Sequence, residues 1–234
     1  CGYDSAGGET DPTLLAPGSV LFGKYIIGTV IGKGGFGVTY IAYDTDSERK
    51  VAIKEYFPYG IARRAAGSSA VTVSSENDKE AFELGAEKFC EEAKMISQFN
   101  GNPNIVEVYE FFSENDTVYF AMEFLWGQTL KEYIRDKGIL TAPQALYVAK
   151  GVANALAVAH KASVLHRDIS PDNIILCGGG KVKLIDFGAA RQVVAELSQS
   201  FSVILKPGFA PLEQYNKKGN QGPWTDIYAL GATL

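Results

Sequence analysis

His166-Arg167-Asp168-Ile169-Ser170-Pro171-Asp172-Asn173, followed downstream by Asp186-Phe187-Gly188, is the stretch on which the reading of this chain turns. It sets three polar groups of defined chemistry on two adjacent loops. Asp168 can accept a proton from a hydroxyl nucleophile. Asn173 and Asp186 offer oxygens to a hard divalent cation. Complementary parts lie upstream. Gly32-Lys33-Gly34-Gly35-Phe36-Gly37 has G-x-G-x-x-G spacing, which lets backbone N–H groups approach an anion with no Cβ in the way. Val51-Ala52-Ile53-Lys54 ends on a point charge.

The glycines lie between Tyr25-Ile26-Ile27-Gly28-Thr29-Val30 and Val38-Thr39-Tyr40-Ile41-Ala42-Tyr43. Both runs are rich in β-branched and aromatic residues, which places the loop at a hairpin turn. A dinucleotide fold needs a helix to start there, so the context counts against it. In this order and spacing the four motifs resemble the protein kinases. The resemblance runs from about Tyr25 to Leu234. The runs Gly34–Tyr40, Lys54-Glu55-Tyr56-Phe57-Pro58, His166–Asn173, Lys206-Pro207-Gly208-Phe209-Ala210-Pro211 and Gln221–Asp226 are similar to one bacterial group of eukaryotic-like serine/threonine kinases. Members of that group often carry a small Cys-rich zinc ribbon ahead of the kinase domain and further segments behind it.

The resemblance implies an α+β, bilobal protein-kinase-like fold, with a small antiparallel sheet lobe carrying one helix and a mainly helical large lobe. On this reading residues 1–19 are a flexible segment in which Cys1-Gly2 is either the end of a zinc ribbon or an arbitrary boundary. Residues 20–125 form the small lobe and 126–234 part of the large lobe. Trp224–Leu234 resembles the start of the central large-lobe helix, so the chain is expected to be a C-terminally truncated fragment.

Size and charge agree with such a domain. A chain of 234 residues with 46% hydrophobic content can bury a core without disulfides or metal. The net charge of −5 argues against nucleic acid or an anionic membrane as the main partner. No apolar run reaches the ~18–20 residues that span a bilayer. Cys1, Cys90 and Cys177 are too widely spaced for a disulfide framework or a zinc quartet, which points to a reducing cytoplasm.

Along the chain, residues 25–54 read as three short strands, and the Gly/Ser/Ala-rich residues 59–78 as a long irregular connection. A helix is expected from about Lys79 to Phe99, with Phe82, Phe89, Ala93 and Ile96 on one face. Strands follow at Ile105–Phe112 and Thr117–Phe124. The clearest helix is Ala142–Lys161, with Thr141 and Gln144 as a capping box and Leu146, Ala149, Val152, Ala153, Leu156 and Ala159 as its buried face.

Transferred residue by residue, the resemblance implies ATP with Mg²⁺ (or Mn²⁺) and a protein hydroxyl as substrates. Gly32, Gly34 and Gly37 cover the phosphates. Lys54, anchored by Glu92, serves the α/β-phosphates, while Glu91 is solvated. Asp186 and Asn173 hold the cations, and Asp168 orients and deprotonates the substrate hydroxyl. Adenine sits between Ile31, Ala52 and Ile175, with hinge contacts from the backbone of Glu123 and Leu125 and Met122 at the back. Thr39 stands where the family usually has valine. His166 and Phe187 are core residues stacking with Ile96, and His160 is structural at its helix end.

One departure is larger. The lysine that normally follows the catalytic aspartate by two residues is Ser170, while Lys206 stands where the activation segment usually has threonine. The expectation is an exchange, with Lys206 reaching the γ-phosphate and Ser170 supplying the hydroxyl. The other reading is a surface lysine beside a neutral serine. Arg167 is a candidate partner for a phosphorylated Ser198, Ser200 or Ser202. Glu213, whose family partner is a later arginine, is expected to be unpaired. Rival readings are a nucleotide-binding pseudokinase or scaffold, and a small-molecule phosphotransferase. The latter usually lacks the Phe-Gly after the metal aspartate and the Ala-Pro…Glu segment found here.

Overall fold

Alternating burial along residues 37–44 gives that segment one face to bury, Val51–Ile53 are buried consecutively, and residues 25–56 pair as an antiparallel ladder with register shifts between Ile27 and Gly32. The computed structural model describes residues 11, 13–187, 205–216 and 219–234. Its first sheet begins with β1 (Val20–Leu21), β2 (Tyr25–Gly34), β3 (Gly37–Asp44) and β4 (Arg49–Tyr56). The short hairpin of β5 (Ala62–Arg64) and β6 (Val71–Val73) leads into helix α1 (Glu76–Ser97). Strands β7 (Val108–Glu114) and β8 (Thr117–Glu123) then complete a six-stranded sheet in the order β1-β2-β3-β4-β8-β7.

The hairpin departs from the irregular connection expected for residues 59–78, and its cause is electrostatic. Glu55 on β4 is fully buried, and the Arg64 guanidinium on β5 pairs with it. Tyr40 and Tyr119 donate their hydroxyls to the same carboxylate at 2.9 and 2.7 Å. Arg64 also donates to the carbonyls of Thr13 (2.6 Å) and Ser69 (3.0 Å). A buried ion survives only when its hydrogen-bonding capacity is met, so one carboxylate ties the hairpin and the N-terminal strap to the sheet. Within the 1–19 segment, Leu15 is buried and its N–H donates to the Tyr40 hydroxyl.

Helix α1 starts three residues before the expected Lys79 because Ser75 caps it, accepting from the Asp78 N–H. Phe82, Phe89, Ala93 and Ile96 are its buried face, as the periodicity predicts. Beyond β8 come β9 (Gly127–Thr129), α2 (Leu130–Lys137) and α3 (Ala142–Lys161), then the loop that carries Asp168. Strands β10 (Ile174–Cys177) and β11 (Lys181–Leu184) join β9 in a three-stranded sheet, and α4 (Pro223–Thr233) packs against α3.

The span of α3 agrees with the sequence, and Gln144 Oε1 accepts from the Thr141 N–H at 2.9 Å. Its buried face is rotated from the expected one. Val148, Gly151, Val152, Ala155, Leu156 and Ala159 face inward, whereas Leu146 and Ala153 are exposed. The close approach of β11 decides this, since a Cβ on Gly151 would lie 2.8 Å from Val182 Cβ. No amphipathic count over α3 alone can see that partner.

The buried pair yields a stability prediction. Arg64→Met leaves Glu55 uncompensated and should cost about 3 kcal/mol or more. Combining it with Glu55→Gln, whose amide oxygen still accepts from the tyrosines, should recover part of the loss. Denaturant unfolding measures both, and an Arg64→Met midpoint equal to the parent's would refute the assignment.

Candidate active site

Between the six-stranded sheet and the helical part lies a cleft of about 660 Å³. Its walls contain Ile31, Gly32, Gly34, Gly37, Thr39, Ala52, Lys54, Glu92, Met122, Glu123, Leu125, Asn173, Ile175, Asp186 and Lys206. The fold therefore gathers into one cavity side chains that the sequence spreads over much of its length. Asp168 and Ser170 lie just behind that lining, each in contact with a wall residue.

Lys54 projects from β4, and its Nζ lies 2.5 Å from Asp186 Oδ1 and 3.9 Å from Glu92 Oε1. Glu92 is buried on the inner face of α1, while Glu91 is exposed and pairs with Lys88 at 2.7 Å. One ammonium is thus shared by a carboxylate from each side of the cleft. Asn173 donates its amide to Asp168 Oδ2 at 2.6 Å and to the Asp168 carbonyl at 2.7 Å. That leaves the Asn173 amide oxygen and the Asp186 carboxylate as hard donors beside the cavity. Among the described residues there is no cluster of three acidic, histidine or cysteine ligands. A donor set this sparse suits an Mg²⁺-type ion that takes most of its remaining ligands from phosphate and water.

The glycines do not all serve one purpose. A Cβ on Gly37 would lie 2.4 Å from the Glu55 carbonyl, so the chain itself needs glycine there. Gly32 and Gly34 meet only ordinary contacts, so packing does not demand glycine at either position. At the hinge, the Glu123 N–H donates to the Glu107 carbonyl at 2.8 Å, so only its own carbonyl remains for a ligand. The Glu123 side chain is engaged by buried Lys183, whose Nζ also donates to the Ile105 carbonyl at 3.1 Å.

The loop that carries Asp168 is held from beneath. The Asp226 carboxylate on α4 is fully buried and accepts from the N–H groups of His166 (2.9 Å) and Arg167 (2.7 Å). His160 lies 2.7 Å from the same group, which makes its structural role a paired one. Arg167 and Asp186 have left-handed backbones, φ +64 and +57, a conformation rarely adopted by side-chain-bearing residues. Phe187 is fully buried, its ring 4.6 Å from His166 and 6.2 Å from Phe99. Ile96, expected beside them, is buried in the same core.

Lys206 turns back toward the loop. Its Nζ donates to Ser170 Oγ at 2.7 Å and lies 3.3 Å from Asp172 Oδ2 and 3.7 Å from Asp168 Oδ2. Lys131 takes the other Asp172 oxygen at 2.9 Å. Burial pushes the Asp172 carboxyl up, but the Lys131 hydrogen bond and the Lys206 charge outweigh it and hold the group below its ordinary value.

Glu213 corrects an expectation. It is not unpaired, because the Thr225 hydroxyl donates to it at 2.9 Å. The hydroxyl from the start of α4 gives the carboxylate a hydrogen-bond donor, though not the countercharge of an arginine. Ser198, Ser200, Ser202 and Cys1 lie outside the described residues, so the candidate phosphorylation and zinc-ribbon readings stay as expectations. Asp226, Asp172, Lys131 and Gln214, which donates to the Arg167 carbonyl at 2.9 Å, were given no role from sequence. For Asp226 a signal existed. It is the one charge in the otherwise apolar run Ile227-Tyr228-Ala229-Leu230 and its approach.

The family model described as protein kinase domain matches residues 25–234. The serine/threonine-protein kinase PrkC of Bacillus subtilis is 35% identical over 219 residues, covering 93% of this chain and 30% of that protein. PknL of Mycobacterium bovis is 30% identical, covering 97% of this chain and 51% of its own. A solved structure titled PpkA-294 apo form is similar at TM-score 0.86 and 38% identity, covering 94% of this chain and 77% of that one. The chain thus spans between about a third and a half of the length of these two curated relatives.

His166 carries a pH prediction. The Asp168 N–H donates to its Nδ1 at 3.2 Å, so that nitrogen is unprotonated and Nε2–H donates to the Ile185 carbonyl at 3.0 Å. Burial lowers its pKa from the ordinary 6.5, outweighing the nearby charge of Asp226. The unfolded chain therefore takes up a proton below pH 6.5 that the folded chain resists, and stability falls as pH falls through that region. Imidazole ¹⁵N spectra at pH 6.5 should show His166 as the neutral Nε2–H tautomer. A doubly protonated ring there would overturn the assignment.

Proposed function

The chain belongs to the protein kinase family, and from that premise we propose that it is the catalytic part of a serine/threonine protein kinase, transferring the ATP γ-phosphate to a protein hydroxyl. The observation that carries this reading is Lys54 held between Glu92 and Asp186, opposite the hydrogen-bonded pair of Asp168 and Asn173. These are the parts that phosphoryl transfer asks of a protein, positioning and charge.

Each residue then has a task. Ile31, Ala52, Ile175 and Met122 enclose the adenine, and the Glu123 carbonyl and Leu125 backbone meet its edge. Gly32 and Gly34 bring backbone N–H groups over the phosphates. Lys54 neutralises phosphate charge while Glu92 holds it in place. Asp186 and the Asn173 oxygen would hold Mg²⁺, which supplies charge neutralisation at the phosphates when bound. Asp168 orients the substrate hydroxyl and accepts its proton. Lys206 supplies the cation that other members of the family place in the catalytic loop, and its contact with Ser170 supports the exchange of lysine and hydroxyl. Among the described residues no helix is long and apolar enough to cross a membrane. Two free cysteines among the described residues, Cys90 and Cys177, and the proposed use of ATP favour a cytoplasmic setting.

The tests are made in the full-length protein. Lys54→Met should lower γ-phosphate transfer by several orders of magnitude and leave the fold intact. Asp186→Asn should weaken the Mg²⁺ dependence, because an amide oxygen carries no net charge. Near-parental turnover of Lys54→Met at saturating ATP would sink the reading.

Lys206→Ala should lower kcat by roughly 10²–10³-fold, as for loss of an electrostatic stabiliser worth ~3–4 kcal/mol. ATP affinity should change little, because the interaction strengthens in the transition state. Ser170→Lys combined with Lys206→Thr should recover part of what Lys206→Thr loses. A Lys206→Ala kcat within about twofold of the parent would make Lys206 an ordinary surface residue.

A further inference from the structure

The Lys206 ammonium has three N–H donors and three oxygen neighbours, Ser170 Oγ, Asp172 Oδ2 and Asp168 Oδ2. The first is neutral and gives direction without charge. The last is the proposed proton acceptor. Asp172 is therefore the carboxylate that competes with Asp168 for the lysine, and at 3.3 against 3.7 Å it is the nearer. An ammonium drawn fully onto Asp168 would neutralise the carboxylate that is to accept the substrate proton.

We propose that Asp172 is a positioning residue, holding Lys206 between the catalytic loop and the γ-phosphate site and keeping it off Asp168. This rests on the role proposed above for Lys206. Two features make Asp172 suited to it. Its backbone is fixed, because it lies in the 3-10 turn Pro171–Asn173, closed by the Asn173 N–H donating to the Ser170 carbonyl at 3.0 Å. Its carboxylate is oriented, because Lys131 at the start of α2 holds the other oxygen at 2.9 Å. Lys206 is anchored in turn, since its carbonyl accepts from the N–H groups of Phe209 and Ala210, both at 3.1 Å. With both backbones held, only the lysine stem is left to choose among the three oxygens.

The competing role for Asp172 is a subsite for a basic side chain of the protein substrate. Both of its oxygens are already taken by lysines of this chain, which disfavours that role. The two roles also separate kinetically. A positioning residue acts on kcat through Lys206, whereas a subsite acts on the KM of the protein substrate and ignores Lys206.

The experiment is a double-mutant cycle in the full-length protein, with ATP·Mg²⁺ and a serine peptide that the parent phosphorylates. Asp172→Asn should lower kcat by roughly 10–10²-fold, as for a small misplacement of a reacting group. KM for ATP should stay unchanged, and Asp172→Glu should restore part of the loss. In the Lys206→Ala background, Asp172→Asn should change kcat by less than about twofold, because its target is gone. Thermal unfolding of each variant accompanies the kinetics, and loss of kcat with an unchanged midpoint is the expected pattern.

Additive losses, or a rise in peptide KM at constant kcat, would overturn the positioning role while leaving that of Lys206 standing. So would a kcat loss that follows the unfolding midpoint in both Asp172 variants. Parental kcat in Lys206→Ala would remove both roles together.

Discussion

The Asp226 carboxylate, fully buried at the start of α4, accepts from the backbone N–H groups of His166 and Arg167, and the loop that carries Asp168 has its shape because of that. Arg167 is left-handed at φ +64, a conformation that costs free energy for a residue with a side chain. Two short hydrogen bonds to a carboxylate are strong enough to hold it. Gln214 closes the other side by donating to the Arg167 carbonyl. Once this loop is set, Asp168, Asn173 and Ser170 have no freedom left to disperse. His166 then links the loop to the Asp186 segment through the Ile185 carbonyl and the Phe187 ring.

A similar device organises the other side of the cleft. Glu55 lies on β4 next to Lys54, with its side chain on the opposite face of the sheet. Lys54 points at Glu92 and Asp186, while Glu55 points at Arg64, Tyr40 and Tyr119. The buried network therefore anchors the strand that carries Lys54. It also holds the strap before β1, whose Asp11 pairs with Lys33 of the glycine-rich loop at 2.9 Å. The Asp11 carboxyl is drawn down to about 2 by its hydrogen bonds from Thr13 and Lys33.

Elements whose cause is local were legible in the sequence. The hairpin around the glycines, the inner face of α1, the limits of α3 and the set of polar residues in the cleft all follow from periodicity, caps and motif spacing. What was not legible depends on partners distant in sequence. The β5–β6 hairpin exists because Arg64 meets Glu55, and no count over the Gly/Ser/Ala-rich residues 59–78 contains that charge pair. The face that α3 buries is set by Val182, and the pairing of Glu213 by Thr225. Asp226 was visible as a residue but not as a role, because its partners are backbone N–H groups, which every sequence has. The contact of Lys206 with Ser170 was legible because the two residue types stand interchanged at two motif positions.

That swap also says which parts of such a site can move along the chain. In the proposed roles Asp168 presents an oxygen in one direction to a hydroxyl, and Asn173, which donates to Asp168 with one edge, offers the other to a cation. Both depend on backbone placement and sit together in the loop held by Asp226. A lysine offers a compact charge on a flexible stem, with donors that rotate. Its field at the phosphate depends on where the ammonium rests and little on which backbone it leaves. Either the loop or the activation segment can therefore supply it, provided a carboxylate at the site fixes the resting point. Asp172 lies where such a carboxylate is needed, between Lys131 and Lys206. In the roles proposed for these residues a transferable lysine calls for a fixed acid, so the site constrains Asp172 more tightly than the origin of the cation.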